Sequence, residues 1–264
     1  MLKIDVVTLF PSNFYDVLQS SIVKNAQKAG ALRIKLVSLR KYGRDKHQSV
    51  DDTPYGGGAG MVLGVEPFYK CLRDLLGCDP EKKSSDQKVL MTGADGCVYN
   101  QRLALELAQE QHIVLLCGHF KGIDERVREY VDGVLSIGDY VLSGGELPAL
   151  VIIDSLARLL PGAVSDYESI RSDSHYEGLL GAPVYTRPAD FKGYDVPEVL
   201  LSGNHKMISE WRFLEAAKRT AEKRPDLWSQ YPLAENQEKL LKKYKMGKLI
   251  EERKSDHGFD PTVK

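Results

Sequence analysis

The residues best suited to chemistry fall into three groups. Residues 136–148, SIGDYVLSGGELP, set Gly138, Gly144 and Gly145 among Tyr140, Val141 and Leu142. Glycine permits positive φ and lets another backbone or a ligand come close. With apolar side chains interleaved, such a stretch is a lining more than a spacer. A second cluster, Gly56, Gly57, Gly58 and Gly60, follows Asp51, Asp52 and Tyr55. It has no Gly-Lys-Ser/Thr after it, and Met61 stands where a dinucleotide fingerprint needs its third glycine, so neither nucleotide-loop reading applies. A flexible loop and backbone packed around a substrate both fit this cluster. The third group lies in residues 163–176, AVSDYESIRSDSHY, which carry Asp166, Glu168 and Asp173 just after Arg158.

The elements that must position these groups follow an α/β rhythm. Residues 4–10 read as a buried strand and the segment to Ala29 as helix, closed by Gly30. Residues 32–39 alternate as a second strand. A helix over 67–76 ends at Gly77. Strands are expected at 88–92, 112–117 and 134–137, with Asn100 capping the helix that separates the first two. Each of these three strands runs into a glycine-bearing loop, TGADG, CGHFKG or SIGDYVLSGG. Ligands of open parallel sheets bind beyond the carboxyl ends of the strands, so three such loops imply one shared pocket. Residues 147–160 read as helix with Pro148 near its first position and Arg158 complementing its C-terminal end. Residues 163–176 have little apolar periodicity and read as a linker or lid. Helices over 204–223, with Met207, Trp211 and Leu214 on one face, and over 234–246, with Leu240, Leu241 and Tyr244 packed, then form a smaller helical domain.

The totals exclude several classes. The chain has 264 residues, 42% hydrophobic and 28% charged, with a formal net charge of −1, which suits one or two soluble globular domains. A polyanion would have to be held locally. Residues 206–254 supply that surface, with thirteen Lys and Arg against eight Asp and Glu. Cys71, Cys78, Cys97 and Cys117 form no Cys-x-x-Cys pair, which favours reduced thiols in a cytoplasmic protein. No signal-peptide pattern and no long uncharged apolar run is present, so secretion and membrane spanning are not expected.

Taken together, TLFP (8–11), DDTPYGGGAGM (51–61), CGHFKGIDERV (117–127), SIGDYVLSGGELPA (136–149), DSLARLLPG (154–162), SDSHYEGLL (172–180), YTRP (185–188) and VLLSGNH (199–205) resemble the bacterial tRNA (guanine-N1)-methyltransferases of the SPOUT superfamily in order and spacing. Periodicity alone points to an open, flavodoxin-like sheet. The resemblance instead implies an α/β, SPOUT-type parallel sheet with a deep trefoil knot at residues 1–162, a lid at 163–176, a small helical tRNA-binding domain at 177–250 and a polar tail at 251–264. It implies a homodimer with active sites at the interface. It also implies S-adenosyl-L-methionine as cofactor and, as substrate, tRNA methylated on N1 of the guanosine immediately 3′ of the anticodon, position 37.

Carried over by motif, the cofactor contacts are Gly118, Ile137, Gly138, Asp139, Tyr140, Val141, Leu142, Gly144, Gly145 and Pro148. Asp173 matches the general base and Arg158 the arginine beside the target guanine, with His175 a rival base. The expected tRNA contacts are Tyr55, Asn204, His205, Lys206, Arg212, Lys242 and Lys243. Two departures stand out. Phe120-Lys121 replaces the Tyr-Glu of many relatives, removing a carboxylate suited to the cofactor's charge or to magnesium, so metal dependence does not follow from the resemblance. TGADG replaces a Ser-Pro-containing loop, so contacts by Thr92, Gly93 and Gly96 do not follow either. A non-catalytic RNA-binding module and a SPOUT enzyme acting on another RNA are the alternatives.

Overall fold

The computed structural model describes residues 1–164 and 170–255; Asp166 and Glu168 lie outside them. The chain divides into two compact units, Met1–Asp166 and Tyr167–Lys264.

The first unit is built on parallel strands β1 (Leu2–Thr8), β2 (Leu32–Ser38), β5 (Gln87–Val98), β6 (His112–Leu116) and β7 (Gly133–Ser136), in the order β2-β1-β6-β5-β7. Two short strands, β3 (Asp51–Asp52) and β4 (Val62–Leu63), pair antiparallel and bracket the glycine-rich loop. The order departs from a flavodoxin-like sheet, in which β5 would lie beside β1. Here β6 is inserted between them, with Leu115 opposite Val6 on one side and Leu90 on the other. Every residue of β6 is buried, as expected of a central parallel strand covered on both faces.

Helices α2 (Ser21–Lys28), α4 (Gln101–Leu107) and α5 (Glu146–Leu159) close one face over Ile4, Val6, Ile113 and Leu115. Helix α3 (Val65–Leu76) closes the other over Val7, Val89, Val114 and Leu116. Gly30 and Gly77 adopt φ of 69° and 72° after α2 and α3, and Asn100 caps α4 by accepting from the Leu103 N–H at 3.0 Å. The segment between β1 and Ala29 is not one helix. It breaks into a 3-10 turn (Pro11–Phe14), α1 (Tyr15–Leu18) and α2. The Ser20 hydroxyl donates to the Val17 carbonyl at 2.8 Å, a side-chain bond that competes with continuation of the helix.

In the second unit a helix His205–Lys223, capped by Asn204, packs with helices Pro225–Gln230 and Glu235–Lys243 around Leu214, Trp228, Tyr231 and Leu241. The Trp228 indole N–H is satisfied by the Leu249 carbonyl at 2.9 Å. Tyr244, expected in this core, is exposed; its hydroxyl donates to Glu210 at 3.4 Å. Asp190–Phe191 and Tyr194–Asp195 form a two-stranded hairpin. No helix among the described residues is long and apolar enough to cross a membrane.

Candidate functional site

Because β1, β5, β6 and β7 are parallel, their carboxyl ends share one edge, and the glycine-bearing loops meet there. The excursion at TGADG lies within a strand: Thr92 and Cys97 both pair with Leu135, and residues 93–96 loop out before β5 resumes. At Gly96 a Cβ would lie 2.5 Å from the Val134 carbonyl, so only glycine lets the excursion sit against β7.

The loop after β7 returns across the loop after β6. His119 and Gly144 form an antiparallel bridge, and the Gly145 N–H donates to the Gly118 carbonyl at 2.7 Å. This crossing is tight. A Cβ on Gly145 would lie 2.0 Å from Thr92 Oγ1 and 2.8 Å from the Gly118 nitrogen, and one on Gly144 2.5 Å from both His119 Nδ1 and Glu146 Oε2. Gly118 is different, since a Cβ there finds its nearest neighbour, Ile123 Cγ1, at 3.6 Å. Gly138 has a φ of 138°, and the Tyr140 ring folds back over it, its hydroxyl donating to the Ile137 carbonyl at 3.2 Å. Asp139, Tyr140, Val141 and Leu142 are exposed, Val141 at 99%. Exposed apolar side chains beside bare glycine backbone make a surface suited to a flat, partly apolar ligand. Pro148 is buried at the third position of α5, not the first as expected, because the helix begins at Glu146.

The chain around 118–124 also grips the glycine-rich loop. The Lys121 N–H donates to the Met61 carbonyl at 3.0 Å and the Leu63 N–H to the Gly122 carbonyl at 3.0 Å. The Lys121 stem lies over Gly60. Tyr55 at the loop tip is fully exposed.

A chain comparison gives this arrangement its context. The profile described as tRNA (Guanine-1)-methyltransferase TrmD matches residues 2–230. The chain belongs to the tRNA (guanine-1)-methyltransferase family. Curated relatives, each called tRNA (guanine-N(1)-)-methyltransferase, include one from Halalkalibacterium halodurans, 51% identical over 241 residues, covering 91% of this chain and 96% of the relative. One from Anoxybacillus flavithermus is 50% identical (92% and 98% covered) and one from Dictyoglomus turgidum 46% identical (93% and 97% covered).

In this tRNA (guanine-1)-methyltransferase family member the expected site residues do not all meet. Arg158 lies near the far end of α5 from the glycine crossing, about 18 Å along the helix at about 1.5 Å per residue. Asp173 belongs to the second unit, in a turn where its N–H donates to the Ile170 carbonyl at 3.1 Å. Farther along the same unit, the Leu180 N–H donates to Thr220 Oγ1 of the long helix at 2.9 Å. There Asp173 and Arg212 line a common cleft of about 890 Å³ with Tyr185 and Arg187. His175 is exposed with φ 74°. Asn204 spends its side-chain oxygen on the helix cap; His205 and Lys206 are exposed in the first turn. Lys243 pairs with Glu210 at 3.4 Å and Lys242 with Glu238 at 3.9 Å, so the basic surface there is partly neutralised. Among the described residues no group of three or more His, Cys, Asp or Glu could hold a metal ion.

Sequence reasoning missed the buried acid at this crossing. Glu146 is 5% exposed, accepts from Thr8 Oγ1 at 2.8 Å and lies 3.8 Å from His119 Nδ1. Burial pushes the nearby Cys117 thiol well above its usual range, and the Glu146 carboxylate adds to the shift. An acid directly after a double glycine at a helix start was the available signal.

Proposed function

We propose that this chain methylates N1 of the guanosine at position 37 of tRNA, immediately 3′ of the anticodon, using S-adenosyl-L-methionine. The observation that carries this reading, beside family membership, is the glycine crossing. Gly144 and Gly145 are locked onto Gly118 and Thr92, while a Cβ at Gly118 would meet only ordinary contacts and Tyr140, Val141 and Leu142 are exposed beside them. That bare, apolar-edged cradle fits an adenosine moiety, with Ile137, Gly138, Asp139 and Pro148 completing its wall. The same crossing, together with β6 inserted between β1 and β5, supports the deep trefoil knot of SPOUT proteins: the chain after β7 passes against loops laid down earlier.

The cofactor, when bound, supplies an electrophilic methyl group and leaves as a neutral thioether. The residues of this chain supply the rest. N1 of guanine carries a proton and is a poor nucleophile until it is removed. In our reading Asp173 accepts that proton, worth roughly 10² to 10⁴ in rate, and the Arg158 guanidinium stabilises the charge that develops on O6. His175 remains the less suited base. Tyr55, Asn204, His205, Lys206, Arg212, Lys242 and Lys243 are proposed to hold the tRNA, and a tRNA substrate supports a cytoplasmic location.

A homodimer makes these parts compatible. Leu147, Val151 and Asp154 are exposed along α5 and Arg158 continues the same stripe, at helical spacings of four, three and four residues. Leu147 and Val151 are 57% and 47% exposed. An isologous, antiparallel contact along that stripe would bring Arg158 of one copy toward the glycine crossing of the other, and the lid of each copy would serve its neighbour's pocket.

Incubation with S-adenosyl-L-methionine and unmodified tRNA should yield N1-methylguanosine at position 37; any other product, or none, overturns the reading. Mixing Asp173→Ala with a pocket-blocked Gly118→Trp variant tests the shared site. Re-equilibrated dimers should recover about a quarter of wild-type activity, since about half are mixed and each of those has one intact site. No recovery would leave lid and pocket within one copy.

A further inference from the structure

The Glu146 carboxylate is buried at the start of α5, with the helix dipole favouring its negative charge. Its Oε1 is held by the Thr8 hydroxyl at 2.8 Å, and its Oε2 lies 3.8 Å from His119 Nδ1. A Cβ on Gly144 would stand 2.5 Å from that same Oε2 and 3.0 Å from the Gly118 carbonyl. The carboxylate therefore lies against the bare Gly144 backbone of the proposed cofactor wall, beside the His119 ring. Three strand-end segments converge on it: Thr8 ends β1, His119 follows β6 and Gly144 follows β7. The titratable groups facing it are the His119 ring and the buried Cys117 thiol.

Resting on the reading that this pocket takes S-adenosyl-L-methionine, we infer that Glu146 is a positioning residue that also selects by charge. It braces the crossing and places a negative charge behind the wall, so the cationic sulfonium cofactor is held in preference to the neutral thioether product. The charge cannot be fully hydrated there, and its field reaches the pocket. A unit charge about 8 Å away, at an effective dielectric of ~20 to 40, changes an affinity by roughly five- to thirty-fold. An enzyme with this device exchanges spent product for fresh cofactor more readily than a neutral pocket of the same shape would, because the charge tightens binding of the cation and leaves the neutral product nearly unaffected.

The test is calorimetric titration of the full chain with S-adenosyl-L-methionine and, separately, S-adenosylhomocysteine, at one pH and salt concentration. Glu146→Gln keeps the shape and an acceptor for Thr8 but removes the charge; Glu146→Asp keeps the charge and shortens the brace. The Gln variant should weaken the cationic ligand about tenfold and the neutral one less than about twofold. The Asp variant should weaken both alike and leave their ratio at the wild-type value. A Gln variant that weakens both equally, or neither, reduces Glu146 to a packing role and overturns the inference. If the Gln variant does not fold, as judged by its melting curve, the wild-type protein decides: binding S-adenosyl-L-methionine at least about fivefold more tightly than S-adenosylhomocysteine sustains charge selection, and equal or weaker binding refutes it. Wild-type protein that binds neither ligand overturns the cofactor reading itself, and the inference with it.

Discussion

Replacing Gly145 with alanine probes the crossing on which the pocket depends. Gly145 has φ −81° and ψ −1°, a conformation alanine adopts without strain, so the cost is steric alone. The new Cβ would stand 2.0 Å from Thr92 Oγ1, 2.8 Å from the Gly118 nitrogen and 2.9 Å from Cys117 Cα. The hydroxyl could rotate away, but the two backbone atoms belong to a segment fixed by β6 and cannot. Overpacking of this kind costs about 1–3 kcal/mol, and separating the loops loses the bond from the Gly145 N–H to the Gly118 carbonyl, about 1 kcal/mol more. The sum, roughly 2–4 kcal/mol, should lower the melting temperature of a unit this size by about 5–15 °C. Gly118→Ala is the counterpart, because its Cβ meets only ordinary contacts, at 3.6 Å and beyond. It should melt within about 0.5 kcal/mol of wild type yet lose roughly tenfold or more in cofactor affinity by calorimetry, since in the proposed pocket the added methyl takes space the cofactor would fill. A Gly145→Ala protein that melts like wild type, or a Gly118→Ala protein that binds cofactor like wild type, would refute the reasoning.

Three further outcomes follow from other parts of the molecule. Asp173→Ala should lower turnover by roughly 10² or more while cofactor binding stays near wild type; substantial residual activity in a methyl-transfer assay removes Asp173 from the base role. Lys242→Glu with Lys243→Glu should weaken tRNA binding and flatten its salt dependence, Lys243→Glu acting also by setting a second acid beside Glu210; an unchanged filter-binding curve would assign both lysines to solvent. Asp5 is fully buried, and although burial raises its pKa, hydrogen bonds from His112 and Lys3 more than offset this and hold it below the ordinary carboxylate value. Its stabilising contribution is therefore present above the unfolded value and is lost as pH falls through the lower folded one. Asp5→Asn should flatten the acid limb of denaturant-measured stability, and an acid limb identical to wild type would refute that role.

What the sequence disclosed and what it hid divide along the range of the forces involved. Gly30, Gly77 and Asn100 were legible because a left-handed residue after a helix and an amide that caps one are decided within four residues. The pairing of Thr92 and Cys97 with the same residue, Leu135, was hidden, because whether β5 resumes after its excursion depends on a strand still to come. The place of β6 between β1 and β5 was hidden for the same reason: each apolar run is equally content beside any other, and only the completed sheet chooses. The proposed cofactor loop stood out as a motif but not as a crossing. The clash distances at Gly144 and Gly145 involve Gly118, Thr92 and His119, and no local pattern connects them. Glu146 is the sharpest case. Its hydrogen-bond partner Thr8 is 138 residues away, and an acid in the first turn of a helix is ordinarily a solvated one favoured by the dipole. Only when β1 and α5 are brought to the same sheet edge does that acid become a buried charge, and a buried charge behind the proposed ligand wall would bear on which ligand stays.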